Sequence, residues 1–103
     1  MAVVADLDIT SRLDYVLDWA PKWMVSGDTI DTSAWVLPPQ LNAPHPDGKS
    51  ETKTVVWLEP VQGVAAVGES YLVVNNIVTT GNDAPESFPR HYNQTMTINI
   101  VDN

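Results

Sequence analysis

Hydrophobic and polar residues alternate along most of this chain with a period of two. Between Leu13 and Trp19 the larger hydrophobic side chains fall on one face, while Asp14 and Asp18 fall on the other. This alternation is typical of a β-strand with one buried and one solvated face. It predicts a strand rather than a helix, because Pro21 would interrupt a helix soon afterwards.

Four further runs predict strands, over residues 28–36, 52–59, 71–80 and 91–101. The run at 71–80 is nearly continuous in β-branched residues, so we expect a central strand that is buried on much of both faces. In the other three runs, the alternation predicts these sets of side chains on a shared face: Ile30, Thr32, Ala34 and Val36; Thr52, Thr54, Val56 and Leu58; Tyr92, Gln94, Met96, Ile98 and Ile100. No run has the period of an amphipathic helix.

Turn signals between these runs indicate the fold class. Gly27-Asp28, Asp47-Gly48 and Gly68-Glu69 mark turns, and prolines end several runs. Many strands separated by turns, without helices, predict an all-β sandwich or a small barrel. We favour an immunoglobulin-like antiparallel β-sandwich of about seven strands, because Tyr71 opens a strand shortly after Gly68 in the manner of a tyrosine corner.

The chain length fits one domain with a short lead. We expect residues 1–12 to form an N-terminal arm or an extra edge strand, and residues 13–103 to form the sandwich domain. A short strand is expected within 40–43, and the rest of 40–51 is expected to be an exposed loop. The N-terminus lacks the basic region of a signal peptide, and no apolar run approaches the roughly 20 residues that span a bilayer.

The charge balance and the absence of cysteine exclude several classes of partner. The chain has 13 acidic and 5 basic residues, which give a net charge of −8. Nucleic-acid binding requires clustered Lys and Arg, and an anionic membrane surface is disfavoured for the same reason. Disulfides and zinc sites built on cysteine are excluded because the chain has no cysteine.

No arrangement of side chains predicts catalysis or a cofactor. Asp14 and Asp18 share a strand face about 13 Å apart, whereas glycosidase carboxylates lie about 5–10 Å apart. His45 and His91 lack the spacing of a metal site or of a nucleophile and its base. We therefore expect no enzymatic activity, no metal and no cofactor.

The four tryptophans are the unusual feature of the composition. We expect Trp35 or Trp57 to fill the space between the sheets. Trp19 and Trp23 flank Pro21 in a connector that cannot be a central strand, and we expect them to be exposed anchors for a protein partner.

Two ligands stay open as alternatives. Tryptophans 19, 23 and 57 are candidates for stacking on sugar rings, as in a carbohydrate-binding adhesin module. Calcium binding by Asp6-x-Asp8 together with Asn82-Asp83 is a minor alternative, because no Asp-x-Asp-x-Asp-Gly loop fixes the geometry.

A series of short motifs resembles a family of small tailed-phage virion proteins, and the resemblance covers residues 13–101. Its motifs are, in order, Asp14-Tyr15 with Asp18-Trp19, Gly27-Asp28-Thr29-Ile30, Ser33 to Pro38, Val56-Trp57-Leu58, Gly68 to Thr80, and Ile98 to Val101. The resemblance implies an immunoglobulin-like sandwich that acts as a fibre-to-tail adaptor near the tail or neck. It also implies a virion component present in several copies, with other virion proteins as partners.

The chain departs from the family pattern in two segments. Residues 42–51 are richer in proline, and residues 88–92 replace a more polar and acidic segment. Both departures would alter loops at the ends of the sandwich, where partner specificity would differ. With the tryptophan connector, they give these candidate interface residues: Trp19, Pro21, Lys22, Trp23, Phe88, Arg90 and Tyr92. A capsid decoration protein is the alternative within the same class.

Overall fold

The computed structural model describes residues 3–20, 24–81 and 88–102, and all regular structure within them is β-strand. The strands in chain order are β1 (Val3–Asp8), β2 (Leu13–Asp18), β3 (Ile30–Val36), β4 (Leu41–Asn42), β5 (Gly48–Lys49), β6 (Lys53–Pro60), β7 (Ser70–Thr79) and β8 (His91–Val101). Sheet I has the order β1-β8-β7-β3, and sheet II has the order β2-β6-β4 with β5 also paired to β6. The expected all-β sandwich is confirmed.

The strand order follows the immunoglobulin pattern. In that pattern, strands C, F and G share one sheet and strands B, E and D share the other. Here β3, β7 and β8 take the first set of positions, and β2, β6 and β4 take the second. Tyr71, at the start of β7, accepts a hydrogen bond at its hydroxyl from the backbone N–H of Ala66 (3.1 Å), which is the arrangement of a tyrosine corner.

The sandwich is not purely antiparallel, because β1 pairs parallel with β8. Residues 3–8 thus form the edge strand that was one of the two expected forms of the N-terminal lead. Leu7, on this strand, is fully buried in the core between the sheets. A turn at residues 9–12 then carries the chain to sheet II, where β2 pairs antiparallel with β6.

The core consists of two clusters of apolar side chains between the sheets. The larger cluster comprises Leu7, Leu41, Val56, Leu58, Val73, Met96, Ile98 and Ile100. The smaller comprises Leu17, Trp19, Ile30 and Ile77. Each fully buried side chain of this size contributes about 1.5–3 kcal/mol. The shared faces predicted for β6 and β8 are confirmed by burial at alternate positions of both strands.

The prediction for β3 was wrong, because its inward face changes along the strand. Ile30 is buried, but Thr32, Ala34 and Val36 are exposed, and Trp35 packs against both core clusters instead. The pairing with β7 shifts register between Ile30 and Thr32. An extra residue at a β-bulge reverses which side chains face inward after it.

The expectation that β7 is buried on both faces was also wrong. The strand is central in sheet I, between β8 and β3, but only one of its faces is covered. Val73, Asn75, Ile77 and Thr79 are buried, whereas Leu72 is 60% exposed. β-Branched content alone did not distinguish a strand buried on both faces from a strand with an uncharged outer face.

The segment 40–51 contains more structure than expected. The short strand expected within 40–43 is confirmed as β4, which pairs with the end of β6. Gly48 and Lys49, expected to lie in a loop, form β5 opposite Val55 and Thr54. A two-residue strand is too short for alternation to show it.

Candidate protein-interaction site

Two loops meet at one end of the sandwich, which we call the loop end. They are the β2–β3 connector and the β7–β8 connector, of which residues 19, 20, 24–29, 80, 81 and 88–90 are described. The strands bring them together, since Ile30 pairs with Thr79 and Val78 pairs with His91. The loop end corresponds to the antigen-binding end of an immunoglobulin variable domain, where the B–C and F–G loops lie side by side.

A buried carboxylate ties the two loops together. The side chain of Asp28 is fully buried, and its Oδ2 accepts a hydrogen bond from Nη1 of Arg90 at 2.9 Å. Its Oδ1 accepts hydrogen bonds from the backbone N–H groups of Thr29 and Gly81, both at 2.9 Å. A buried charge is tolerated only when it is paired and hydrogen-bonded, and this carboxylate meets both conditions.

The environment of Asp28 keeps it ionised. Burial opposes the charge and acts to raise the pKa of Asp28, but hydrogen bonds from the Thr79 side chain, the Gly81 backbone, Arg90 and the Thr29 backbone together lower it below its ordinary value. Asp28 is therefore an anion at neutral pH and holds the Arg90 guanidinium in place.

Close backbone packing adds to this link between the loops. Gly81 has a φ of 75°, and a Cβ placed on it would lie 2.7 Å from the carbonyl carbon of Phe88. The hydroxyls of Thr29 and Thr80 are 2.8 Å apart, and the backbone N–H of Thr80 donates to the carbonyl of Thr29 at 2.8 Å. The base of the loop end is thus fixed by bonds between segments that are distant in sequence.

The described residues of the loop end present two large apolar side chains to solvent, Phe88 and the less exposed Val25. Phe88 is 80% exposed, more than any other large hydrophobic residue among those described. Exposed aromatic side chains on a rigid base are typical anchors of protein interfaces, because few rotamers are lost when they bind.

The other candidate interface residues have different positions. Arg90 is partly exposed but is held by Asp28, so it supports the loop end. Tyr92 is half-buried and packs against the smaller core cluster. Pro21, Lys22 and Trp23 lie outside the described residues.

The prediction of Trp19 as an exposed anchor was wrong, because its side chain is fully buried. Its Nε1–H donates to Thr54 Oγ1 at 3.1 Å, and the Thr54 hydroxyl donates to Asn75 Oδ1 at 2.7 Å. Asn75 in turn donates from Nδ2 to Ser33 Oγ at 2.9 Å. This buried polar chain links sheet II to sheet I and gives the indole N–H a partner 35 residues away.

The two expected core tryptophans also differ from each other. Trp35 is partly buried between the sheets, as expected for one of the pair. Trp57 lies on the outer side of β6, where its ring meets the edge of His45 at a centroid distance of 5.1 Å and an interplanar angle of 83°.

Asp28 and Gly81 were not among the predicted site residues. Gly27-Asp28 was interpreted as a turn signal and as part of a family motif, and Arg90 was named without its acidic partner. The two residues of this ion pair are 62 positions apart, so no local pattern connects them. The signal available was weak: an aspartate at the start of a strand, and an arginine just before the last strand.

A cleft of about 800 Å³ lies at the opposite end, between the β1–β2 turn and the end of β6. It contains an ion pair in which Arg12 Nη2 lies 3.0 Å from Glu59 Oε2. Glu59 Oε1 accepts from Asn42 Nδ2 at 2.9 Å. The bonds from Asn42 and Arg12 lower the pKa of Glu59, so both carboxylate oxygens serve the structure of this turn.

Within the described part of the chain, no three His, Asp or Glu side chains are grouped as metal ligands. Asn82 and Asp83, half of the alternative calcium set, lie outside it. The same part of the chain contains no helix with the length and apolar character needed to cross a bilayer.

Comparison with known families decides among the candidate functions. A sequence model of the family described as podophage GP4 fiber-tail adaptor protein gp77 matches residues 8–88. The chain belongs to this fibre-tail adaptor family. The adaptor is therefore a structural component of a phage virion that binds tail and fibre proteins. No curated protein matches the adaptor in sequence.

The family match covers most of the sandwich. It includes β2 to β7 and both connectors of the loop end up to Phe88. The resemblance inferred from the short motifs is thus confirmed.

Proposed function

We propose that the adaptor joins a fibre protein to the tail or neck through its loop end, without catalysing a reaction. The observation that carries this proposal is the exposure of Phe88 directly above a base fixed by Asp28, Arg90 and Gly81. A side chain held on a rigid base loses little entropy when a partner covers it. The described residues of the loop end combine such an anchor with backbone groups that are already paired.

Several copies of the adaptor would act together in a symmetric assembly, built in the host cytoplasm with the rest of the particle. Repetition of one contact makes a weak interface strong, since binding of the first copies raises the effective concentration of the others. The net charge of −8 is compatible with this use, because the contact would rely on aromatic and neutral groups.

A substitution in the phage genome tests the loop end directly. Phe88→Ala removes the exposed ring, and we expect the amount of fibre protein retained per purified particle to fall roughly tenfold or more, as for an interface anchor. Quantitative mass spectrometry of particles gives both the adaptor and the fibre content. Trp23→Ala is a second variant for the same measurement, because Trp23 was expected to be an exposed anchor in the β2–β3 connector.

The matched control is Val64→Ala, which removes another exposed side chain (51%) from the β6–β7 connector at the opposite end. We expect this control to leave the fibre content unchanged. If Phe88→Ala and Val64→Ala particles retained equal amounts of fibre, the loop end would not be the contact. Copy number in the same data separates a tail adaptor, at on the order of a dozen copies, from a capsid decoration protein at hundreds.

A further inference from the structure

The outer surface of sheet I contains very little of the charge of this acidic chain. We call the outward side of β7, β8 and residues 32–36 of β3 the uncharged face. Among the described residues, the outward positions of these strands contain no Asp, Glu, Lys or Arg, and His91 lies at the end of β8. Among the described residues of sheet I, charged side chains lie at its margins, at Asp6 and Asp8 on the edge strand β1 and at Asp31 beside the bulge of β3.

Exposed apolar side chains form a band across the middle of this sheet. In one row, Val4 on β1 and Leu72 on β7 both pair with Thr97 on β8. In the next row, Val36 on β3 pairs with Val74, which pairs with Thr95. The exposed fractions of Val4, Leu72 and Val36 are 64%, 60% and 57%. Rows of paired residues point to the same side of a sheet, so these six side chains are contiguous.

The outer face of sheet II, in contrast to the uncharged face, contains charged side chains. Its outward positions include Asp14, Asp18, Lys53 and Glu59, with both signs of charge interspersed. A solvated face of an antiparallel sheet is normally polar in this way. Because both faces belong to the same sandwich, the difference between them is not a property of the overall composition. An extended uncharged face with an apolar band marks an interaction surface.

We propose that two copies of this chain pack together through the uncharged face, sheet I against sheet I. The face comprises the 11 residues of β8, the 10 residues of β7 and residues 32–36 of β3. At about 3.4 Å per residue and about 4.8 Å between strands, it covers roughly 420 Å². Two such faces bury roughly 850 Å², which is the size of a weak interface whose occupancy depends on protein concentration.

Electrostatics favours a second copy in this arrangement over other orientations. Each copy has a net charge of −8, so contact through sheet II would bring like charges together. Contact through the uncharged face places sheet II of each copy on the far side, with about 10 Å between the sheets of each sandwich. The charges of the two outer faces are then separated by several Debye lengths, each about 8 Å at physiological salt, and their repulsion is screened.

Sedimentation equilibrium of the purified chain tests the proposal. We expect the wild-type chain to form a dimer whose fraction rises with protein concentration. Leu72→Lys and Val36→Lys each place a charge in the apolar band, and each should raise the dimer Kd roughly tenfold or more. Val16→Lys is the matched control, because Val16 is 55% exposed on the outer side of sheet II between Asp14 and Asp18. It should leave Kd unchanged. Circular dichroism and thermal unfolding establish that each variant is folded.

Two results would overturn the proposal. One is a monomer at all concentrations, and the other is an equal effect of Val16→Lys and Leu72→Lys on Kd. If the wild-type chain is monomeric and the Leu72→Lys variant is missing from phage particles, the uncharged face binds a different virion protein. This outcome also overturns self-association. The measurement uses the isolated chain, so its outcome is independent of the fibre content that tests the loop end.

Discussion

Asp28 is the residue on which the loop end most depends. Asp28→Asn keeps an acceptor for the backbone N–H groups of Gly81 and Thr29 but removes the charge that holds Arg90. We expect a loss of about 2 kcal/mol in the free energy of unfolding, typical of a charge-assisted hydrogen bond. Urea unfolding followed by tryptophan fluorescence measures it. Asp14→Asn, on the outer face of β2, is the control and should change stability by less than about 0.5 kcal/mol.

The same pair of variants has a defined pH dependence. The pKa of Asp28 is lower in the folded chain than its ordinary value, so the folded state favours the ionised form. Its contribution to stability is present above the ordinary aspartate pKa of about 3.9, and it is lost as the pH falls through the lower, folded pKa. The wild-type chain should therefore lose more stability than Asp28→Asn between about pH 5 and pH 2. Parallel curves for the two proteins would contradict the assignment.

Gly81 offers a second test at the scale of one residue. Gly81→Ala adds a Cβ both to a left-handed backbone and against the backbone of Phe88. We expect a loss of roughly 2 kcal/mol or more, of which about 1 kcal/mol is the cost of the positive φ. Gly63→Ala is a close control, since Gly63 has a φ of 80° and no atom lies within 4 Å of the added Cβ. Equal losses from the two variants would show that the packing against Phe88 is unimportant.

At the scale of single residues, the sequence predicted which side chains share a strand face better than it predicted which aromatic side chains are exposed. Trp19, two residues before Pro21, was expected to be a surface anchor. It is buried instead, and Thr54 provides a buried partner for its indole N–H. Among the described residues of the predicted set, Phe88 is the exposed aromatic residue. Whether an aromatic side chain is buried depends on partners from other strands, and local sequence does not contain that information.

At the scale of the elements, strand β1 is the one that bears on where the domain begins. Residues 1–12 were expected to form an arm or an extra edge strand ahead of a domain at 13–103. In the structure Leu7 lies in the core and β1 covers one side of β8. We expect removal of residues 1–8 to lower the free energy of unfolding by about 3 kcal/mol or more, the cost of losing one large buried side chain. Thermal and urea unfolding of the truncated chain measure the effect.

A point substitution separates burial from strand pairing in this experiment. Leu7→Ala removes the buried side chain and keeps the strand. We expect this variant to show most of the decrease in the free energy of unfolding that the truncated chain shows. Val4→Ala changes an exposed position of the same strand and should cost less than about 0.5 kcal/mol. A truncated chain as stable as the full chain would support the division at residue 13.

The longer strands were predictable because their periodicity is uninterrupted. Burial alternates along β6 and β8, as their predicted shared faces require, and along β2 from Tyr15 onward, although Leu13 is 44% exposed. The bulge after Ile30 broke this rule in β3, and no turn signal marked it. The parallel pairing of β1 was not predictable either, because its partner follows at the far end of the described chain.

On the scale of the whole molecule, the sandwich separates its surfaces by chemistry. The loop end presents Phe88, the outer face of sheet II contains charges of both signs, and the uncharged face of sheet I has no Asp, Glu, Lys or Arg among its described residues. An adaptor needs surfaces that do not compete with each other. The loop end and the uncharged face meet this requirement, since one lies at an end of the strands and the other lies along their side.

The position of β8 also has a consequence for how the chain is made. Sheet I has β8 between β1 and β7, so Asp6 on β1 bonds to Asn99, which lies 93 residues later in the chain. While the ribosome is still adding residues 91–101, β1 has no neighbour in its sheet and Leu7 has no complete core. Pairing across such sequence distances is slow, on the order of milliseconds to seconds. The sandwich therefore closes only after β8 has left the ribosome, and assembly into particles follows translation of this strand.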